Sequence, residues 1–196
     1  EVGYSRAYIE NDAMAHIVGY VGPISKKDKQ RLIVSNPLFQ IPNFQIGKTG
    51  IERELNSDLM GVAGVSRNEV NAKGRIMREL DRDEAEPGQD VQVTINTDLQ
   101  KFSMARMVGL SASAVVVKID NGDITAMSST PSFNPNTLVN GISSSDWANL
   151  LKDIKRPLSN KSVSDAYPPG SLFKMIVAIT ALEMGVITDT DEIRCT

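Results

Sequence analysis

Ser171 and Lys174 are the two side chains whose types and spacing best suit chemistry in this sequence. They stand three residues apart, so on a helix they share a face. A neutral lysine beside a serine hydroxyl takes its proton and leaves a nucleophilic oxygen. Burial keeps such a lysine neutral, because apolar surroundings disfavour the ammonium form. The free N–H groups and the dipole of a helix start favour the negative charge that grows on an attacked carbonyl. S-x-x-K therefore reads as nucleophile plus base for acyl transfer. The same four letters also suit a serine cap with a lysine reaching for solvent.

The flanking residues favour the chemical reading. Tyr167-Pro168-Pro169-Gly170 is turn chemistry, and proline is at home just before or within a first helical turn. Almost every residue from Leu172 to Met184 is apolar or small, and Lys174 is the only charge before Glu183. A helix apolar on nearly every side is predicted to be a buried central helix. Gly185 supplies a left-handed stop, with Val186 placed for the contact that closes a Schellman ending.

The N-terminal region, residues 1 to about 85, is expected to pack apart from that helix. His16 is the only histidine. It lies in an apolar, glycine-containing segment with no histidine or cysteine near it, and reads as packing rather than as a metal or catalytic group. Residues 25–34 predict a short helix capped by Ser25, with Asp28 at the third position. Residues 38–44 predict an extended loop. Thr49-Gly50-Ile51-Glu52 predicts a capping box opening a helix to about Leu59, with Gly61 and Gly64 breaking it. Residues 65–71 and 75–80 predict two strands joined by a turn over 71–74.

Residues 81–88 predict a charged linker ending in Pro87-Gly88. Residues 91–95 predict a strand, and Thr97 a cap on a helix to about Val108. Residues 112–119 and 123–128 predict a hairpin, because Asn121-Gly122 is a strong turn signal. The continuous apolar run 114–117 predicts a strand covered on both faces. Residues 130–145 predict a polar loop, and 146–152 a short helix.

Composition bounds the rest. A length of 196 residues allows one or two domains with a real core. A net charge of -3 makes no general case for nucleic acid. No stretch reaches the roughly 18 to 20 apolar residues of a membrane span. The single cysteine, Cys195, excludes an internal disulfide.

Residues 167–182 resemble the active-serine segment of the penicillin-binding proteins. Further marks narrow the resemblance to class B, and within it to the elongation-specific branch. They are A-H-I-V-G-Y-V-G at 15–22, G-K-T-G-I-E at 47–52, E-V-N-A-K-G-R at 69–75, T-P-S-F-N-P-N at 130–136 and R-P-L at 156–158. The resemblance implies an α+β fold. A pedestal, or non-penicillin-binding, domain of residues 1–85 would precede the N-terminal part of a transpeptidase domain of the serine β-lactamase type, residues 86–196. It also implies a peptidoglycan D,D-transpeptidase that cross-links stem peptides during cell elongation. Ser171 would attack the penultimate D-alanine carbonyl, with Lys174 the favoured base and the Ser171 N–H half of the oxyanion hole. β-Lactams would acylate the same serine. No metal or organic cofactor is implied. The partners implied are a D-Ala-D-Ala stem peptide, β-lactams, a SEDS-family glycosyltransferase and the elongation scaffold. The implied location is the periplasmic side of the inner membrane, held by an N-terminal anchor preceding Glu1.

Two letter matches conflict with the family order. Lys48-Thr49-Gly50 spells the family's K-T-G and Ser132-Phe133-Asn134 its S-x-N, yet both precede Ser171, whereas the family's motifs follow it. The second and third motifs are therefore expected beyond Thr196, and residues 1–196 alone are expected to be catalytically inactive, with the apolar serine helix partly exposed, disordered or buried against another copy of the chain. A septal class B transpeptidase, a serine β-lactamase or β-lactam sensor, and a non-catalytic binding fragment stand as alternatives.

Overall fold

Residues 11–18 carry the apolar stripe around which the larger of two units is built. The computed structural model describes residues 6–25, 28, 37–40 and 44–192. They fall into two compact units, Glu1–Ser164 and Asp165–Thr196. In the first, helix α1 (Asn11–Val18) buries Ala15 and Ile17 and stops at Gly19. Strand β1 (Val21–Pro23) follows and pairs antiparallel with β2 (Gln45–Gly47), Val21 opposite Gly47. Ile46 is the anchor of this ribbon, 1% exposed.

Two short helices come next, α2 (Gly50–Glu54) and α3 (Asn56–Met60), separated at Leu55. The glycines of the 15–22 and 47–52 motifs explain each other here. Gly19 has φ +84 and a Cβ on it would lie 1.9 Å from the Thr49 carbonyl oxygen. Gly50 has φ +59 and a Cβ on it would lie 2.5 Å from the Ile17 carbonyl oxygen. Only residues without a side chain allow that approach and that backbone.

The expected capping box at Thr49 does not form: its side chain makes no cap bond. Glu52, its intended partner, is buried and turned elsewhere. It accepts from the Tyr8 hydroxyl at 3.2 Å and pairs with Arg6 at 3.2 Å. A buried carboxylate needs such partners more than a helix end needs one cap. The box at Ser25 does form at its described residues, Ser25 N–H donating to Asp28 at 2.8 Å and Asp28 N–H to Ser25 Oγ at 3.3 Å. Most of the helix expected over 25–34 lies outside the described residues, as do Pro42 and Cys195. Pro37–Gln40 is a 3-10 turn rather than the start of an extended loop.

A hairpin of β3 (Val65–Val70) and β4 (Ile76–Asp83) follows, exposed along both strands. Asn71 makes its turn, with Oδ1 accepting from the N–H groups of Lys73 and Arg75, each at 3.0 Å. The second strand runs into the expected linker, and Val62 and Glu86 form a bridge beyond it. Residues 91–95 form no strand. Instead Thr94 Oγ1 donates to the Ile124 carbonyl at 2.7 Å and the Asn96 N–H to the Thr125 carbonyl at 2.8 Å.

Helix α4 (Thr97–Arg106) is capped by Asn96, one residue before the expected Thr97, since the Asn96 side chain accepts from the Leu99 N–H. It packs on the hairpin of β5 (Ala112–Val117) and β6 (Ile124–Thr130). Gln100, 1% exposed, joins three elements. Its amide donates to the carbonyls of Ala13 at 2.8 Å and Met127 at 3.0 Å, and its Oε1 accepts from the Met127 N–H at 2.9 Å. The run 114–117 is not covered on both faces as expected, Val115, Val116 and Val117 being 39–51% exposed. The expected loop 130–145 contains a short helix, α5 (Pro135–Val139), which Asn134 caps. Helix α6 (Ser144–Lys152) starts two residues before its expected position, on Ser143.

His16 packs as expected, its ring edge-on to Phe133 at 5.3 Å. Burial, and then the charge of Lys161, lower its pKa to about 4. An unfolded chain binds this proton near pH 6.5, so the native state binds fewer protons between the two values. The resulting stability is complete above pH 6.5 and is lost as pH falls through 4. The difference is about 3 kcal/mol. Urea-unfolding midpoints are expected to fall as pH drops from 6.5 to 4 for the wild type and to stay flatter for His16→Gln.

Candidate active site

The second unit carries Ser171 and Lys174. Pro169 has φ -68 and leads into a 3-10 turn, Gly170–Leu172, which runs on into helix α7 (Phe173–Glu183). Gly170 has φ +54, a left-handed value that the glycine tolerates and that aims the chain into the turn. Ser171 sits in that opening turn, where backbone N–H groups have no intrahelical acceptor. Lys174 lies one turn further on, in the first turn of α7. The far end closes as the sequence predicts. Gly185 has φ +67, its N–H donates to the Leu182 carbonyl at 3.1 Å, and the Val186 N–H reaches the Ala181 carbonyl at 2.9 Å. Those are the two bonds of a Schellman ending.

The buried central position expected of this helix is not found, and it has instead the exposure expected of it within residues 1–196 alone. Leu172, Phe173, Met175, Ile176, Val177 and Ile179 are each more than half exposed. Ser171 and Lys174 are exposed as well. A helix this apolar has no polar face to give to water, so the exposure marks surface that a fold normally covers.

The two letter matches sit in the first unit and have structural work there. Lys48 pairs with Asp28. Burial alone would raise the Asp28 pKa, but bonds from Lys48 and Ser25 hold it down at about 2. Lys48→Ala is therefore expected to leave any acyl transfer to Ser171 unchanged within about twofold, the scale of a local substitution. Stopped-flow acylation checks this, and a large loss with the fold intact would move Lys48 into the reaction. Ser132 Oγ donates to the Asp12 carbonyl at 2.8 Å, Phe133 is buried, and Asn134 caps α5.

Among the described residues no His, Cys, Asp or Glu cluster has metal-ligand geometry, and no helix is long and apolar enough to cross a membrane. A cavity of about 360 Å³ lies in the first unit, lined by residues such as Arg6, Ile51, Glu52 and Val93, and includes neither Ser171 nor Lys174.

Comparison with known proteins gives this geometry a context. Residues 1–93 match the family model described as penicillin-binding protein dimerisation domain, and residues 112–196 that described as penicillin binding protein transpeptidase domain. Over 188 residues, 95% of the chain, it is 39% identical to the peptidoglycan D,D-transpeptidase MrdA of Escherichia coli strain K12. It is 37% identical over 94% of its length to MrdA of Haemophilus influenzae. The chain spans only 30% and 29% of the length of those relatives. Two solved structures are similar. One is Pseudomonas aeruginosa PBP2 in complex with WCK 5153, at TM-score 0.76 and 33% identity, covering 97% of this chain and 37% of that one. The other is the complex between PBP2 and MreC from Helicobacter pylori, at TM-score 0.81 and 32% identity, covering 95% and 34%.

Proposed function

Because the chain belongs to the penicillin-binding proteins, with their dimerisation domain and the start of their transpeptidase domain, we propose that its parent protein is a serine peptidoglycan D,D-transpeptidase of cell elongation. The observation that carries this is the S-x-x-K pair at the opening of an apolar helix, within the stretch that matches the transpeptidase domain.

Ser171 is the nucleophile. Its Oγ adds to the penultimate D-alanine carbonyl of a stem peptide, and the bond to the terminal D-alanine breaks. Lys174 takes the hydroxyl proton, and the departing amine leaves protonated. The Ser171 N–H, free at the helix start, supports the oxyanion. The amine of a neighbouring stem then displaces Ser171 Oγ from the acyl-enzyme and forms the cross-link. β-Lactams enter the first half of this sequence and stay on the serine. The exposed apolar face of α7 is a surface for the rest of the transpeptidase domain to pack against, and that packing supplies the dry setting Lys174 requires.

The dimerisation part is the pedestal, residues 1–85, and the transpeptidase part begins near residue 86. The similarity to a PBP2 solved with MreC supports an elongation scaffold protein as partner. A SEDS-family glycosyltransferase is the second partner we propose, on the family resemblance alone. The protein works at the periplasmic face of the inner membrane, tethered by an N-terminal anchor.

The test is direct. The full-length protein, given a D-Ala-D-Ala-ended stem peptide and an amine acceptor, should release D-alanine and form the cross-linked peptide, both blocked by penicillin. Release of D-alanine without a cross-linked product would mark a carboxypeptidase instead. Turnover of penicillin rather than stable acylation would mark a β-lactamase.

A further inference from the structure

The dimerisation match ends at residue 93 and the transpeptidase match starts at residue 112, with α4 between them. The bonds inside the first unit do not respect that division. Helix α1 lies in the dimerisation match but is fastened along its length to residues beyond it. Just before its start, Asn136 pairs with Tyr8 as a neighbouring strand would. Its Oδ1 accepts from the Tyr8 N–H at 2.9 Å and its Nδ2 donates to the Tyr8 carbonyl at 2.8 Å. The same Nδ2 donates to Asn11 Oδ1 at 2.9 Å. Ser132 then holds the Asp12 carbonyl, Gln100 the Ala13 carbonyl and Asn160 the His16 carbonyl, the last at 3.1 Å. Phe133 meets the His16 ring edge-on and, at 5.9 Å, the Tyr20 ring as well.

Both ends of these bonds are themselves fixed. Asn160 sits in a loop that β6 holds. The Lys161 N–H donates to Ser129 Oγ and Ser162 Oγ donates to the Ser128 carbonyl, each at 3.1 Å. Lys161 is 3% exposed, and its Nζ donates to the Arg156 carbonyl at 3.0 Å. Within the dimerisation match α1 packs against α2, where the approach of Gly19 and Gly50 leaves no room for a side chain. Beyond residue 93 it packs against α4, α5 and β6. Gln45 of β2 adds a bond from its Nε2 to the Val139 carbonyl at 3.0 Å. The direct route along the chain is far barer. It runs through the β3–β4 hairpin, exposed on both strands, and out through residues 89–94, exposed as well.

Domains joined only by such a route move relative to one another by default. Here movement would strip the Gln100 amide and the Phe133 ring of their cover, since each is buried against α1. We infer that α1 is a shared element. It belongs to the dimerisation match by sequence, completes the fold of residues 94–164, and makes the first unit open and close as one cooperative body with no hinge at 89–94. Nothing in this depends on the chemistry proposed for Ser171. A partner that pulls on β1, β2 or α2 then loads α4 and the β5–β6 hairpin through α1 rather than through the linker.

Native-state hydrogen exchange of the full-length protein, under conditions where it reads opening equilibria, is the test. One variant is made in each part. Asn136→Ala gives up the bonds to Tyr8 and Asn11, neither of which lies in α2 or α3. Ile46→Val trims the buried anchor of β2, which pairs with β1 and packs on α2 and α3. In the dimerisation match the readout is the Leu55 and Leu59 amides, which donate to the Ile51 and Leu55 carbonyls. Beyond residue 93 it is the Gln100 and Met127 amides, which donate to the Asn96 carbonyl and to Gln100 Oε1. Asn136→Ala is expected to speed exchange about tenfold, equally in both sets. Ile46→Val is expected to do so by about threefold or more, again equally. An increase confined to the substituted part, in either variant, overturns the shared role of α1, because the two parts then open independently. So does an Asn136→Ala protein that exchanges like the wild type. If Asn136→Ala loses its cooperative melt, Ser132→Ala, which gives up only the bond to the Asp12 carbonyl, carries the same expectation at about threefold. Penicillin labelling plays no part in the readout, so failure of the acyl-transfer reading leaves the result standing.

Discussion

Ser171→Ala in the full-length protein should remove covalent penicillin labelling outright. No other serine among residues 1–196 has a lysine three positions on, so none of them has the base that makes Ser171 a nucleophile at neutral pH. Ser171 also opens its helix in the turn where free N–H groups point outward, and a replacement serine elsewhere would lack that support. Removing the nucleophile of a serine hydrolase costs about 10⁶ in turnover, which for an acylation assay means no detectable adduct. Intact-mass measurement after incubation with penicillin reads this directly. An adduct of unchanged mass shift on the alanine variant would place the nucleophile on another residue.

Lys174→Ala should slow acylation by about 10²-fold or more while leaving the serine in place, the usual scale for a positioned general base. Lys174→Arg sharpens the point. It keeps the positive charge but cannot accept a proton, since a guanidinium does not deprotonate in proteins. If the lysine is the base, arginine should be about as slow as alanine. An arginine variant near the wild-type rate would mean that the residue acts as a fixed charge beside the oxyanion. Both variants replace an exposed side chain in the first turn of α7, where neither residue disfavours a helix.

Where sequence spoke through local chemistry, it spoke clearly. The turn over Asn121-Gly122, the turn over 71–74, the stop at Gly185 and the serine at a helix start all follow from residues that touch their own neighbours. The failures have tertiary causes. Thr49 and Glu52 have the letters of a capping box, but Tyr8 and Arg6 claim the glutamate from more than 40 residues away. Residues 91–95 alternate like a strand but give β6 only isolated bonds at its end. The burial expected of α7 and of 114–117 rests on apolar runs alone, and such runs report what a segment needs covered without naming the cover. Asn136, Asn160 and Lys161 were invisible for the opposite reason. Each is a single polar letter in a turn-rich stretch, and its importance comes wholly from what it meets across the fold.

The bonds around α1 also bear on the order in which the protein can form. Tyr8 waits for Asn136, Asp12 for Ser132, Ala13 for Gln100 and His16 for Asn160, separations of 128, 120, 87 and 144 residues. A chain made from its N-terminus presents this helix long before any of those partners exists. Its apolar stripe must stay open while about 140 further residues are made, and contacts of such high order are slow to close because the intervening loop must first be confined. A helix made well before its partners is thus among the last elements of its unit to be locked, and this part of the growing polypeptide is open to aggregation or a holding chaperone until residue 160 is available.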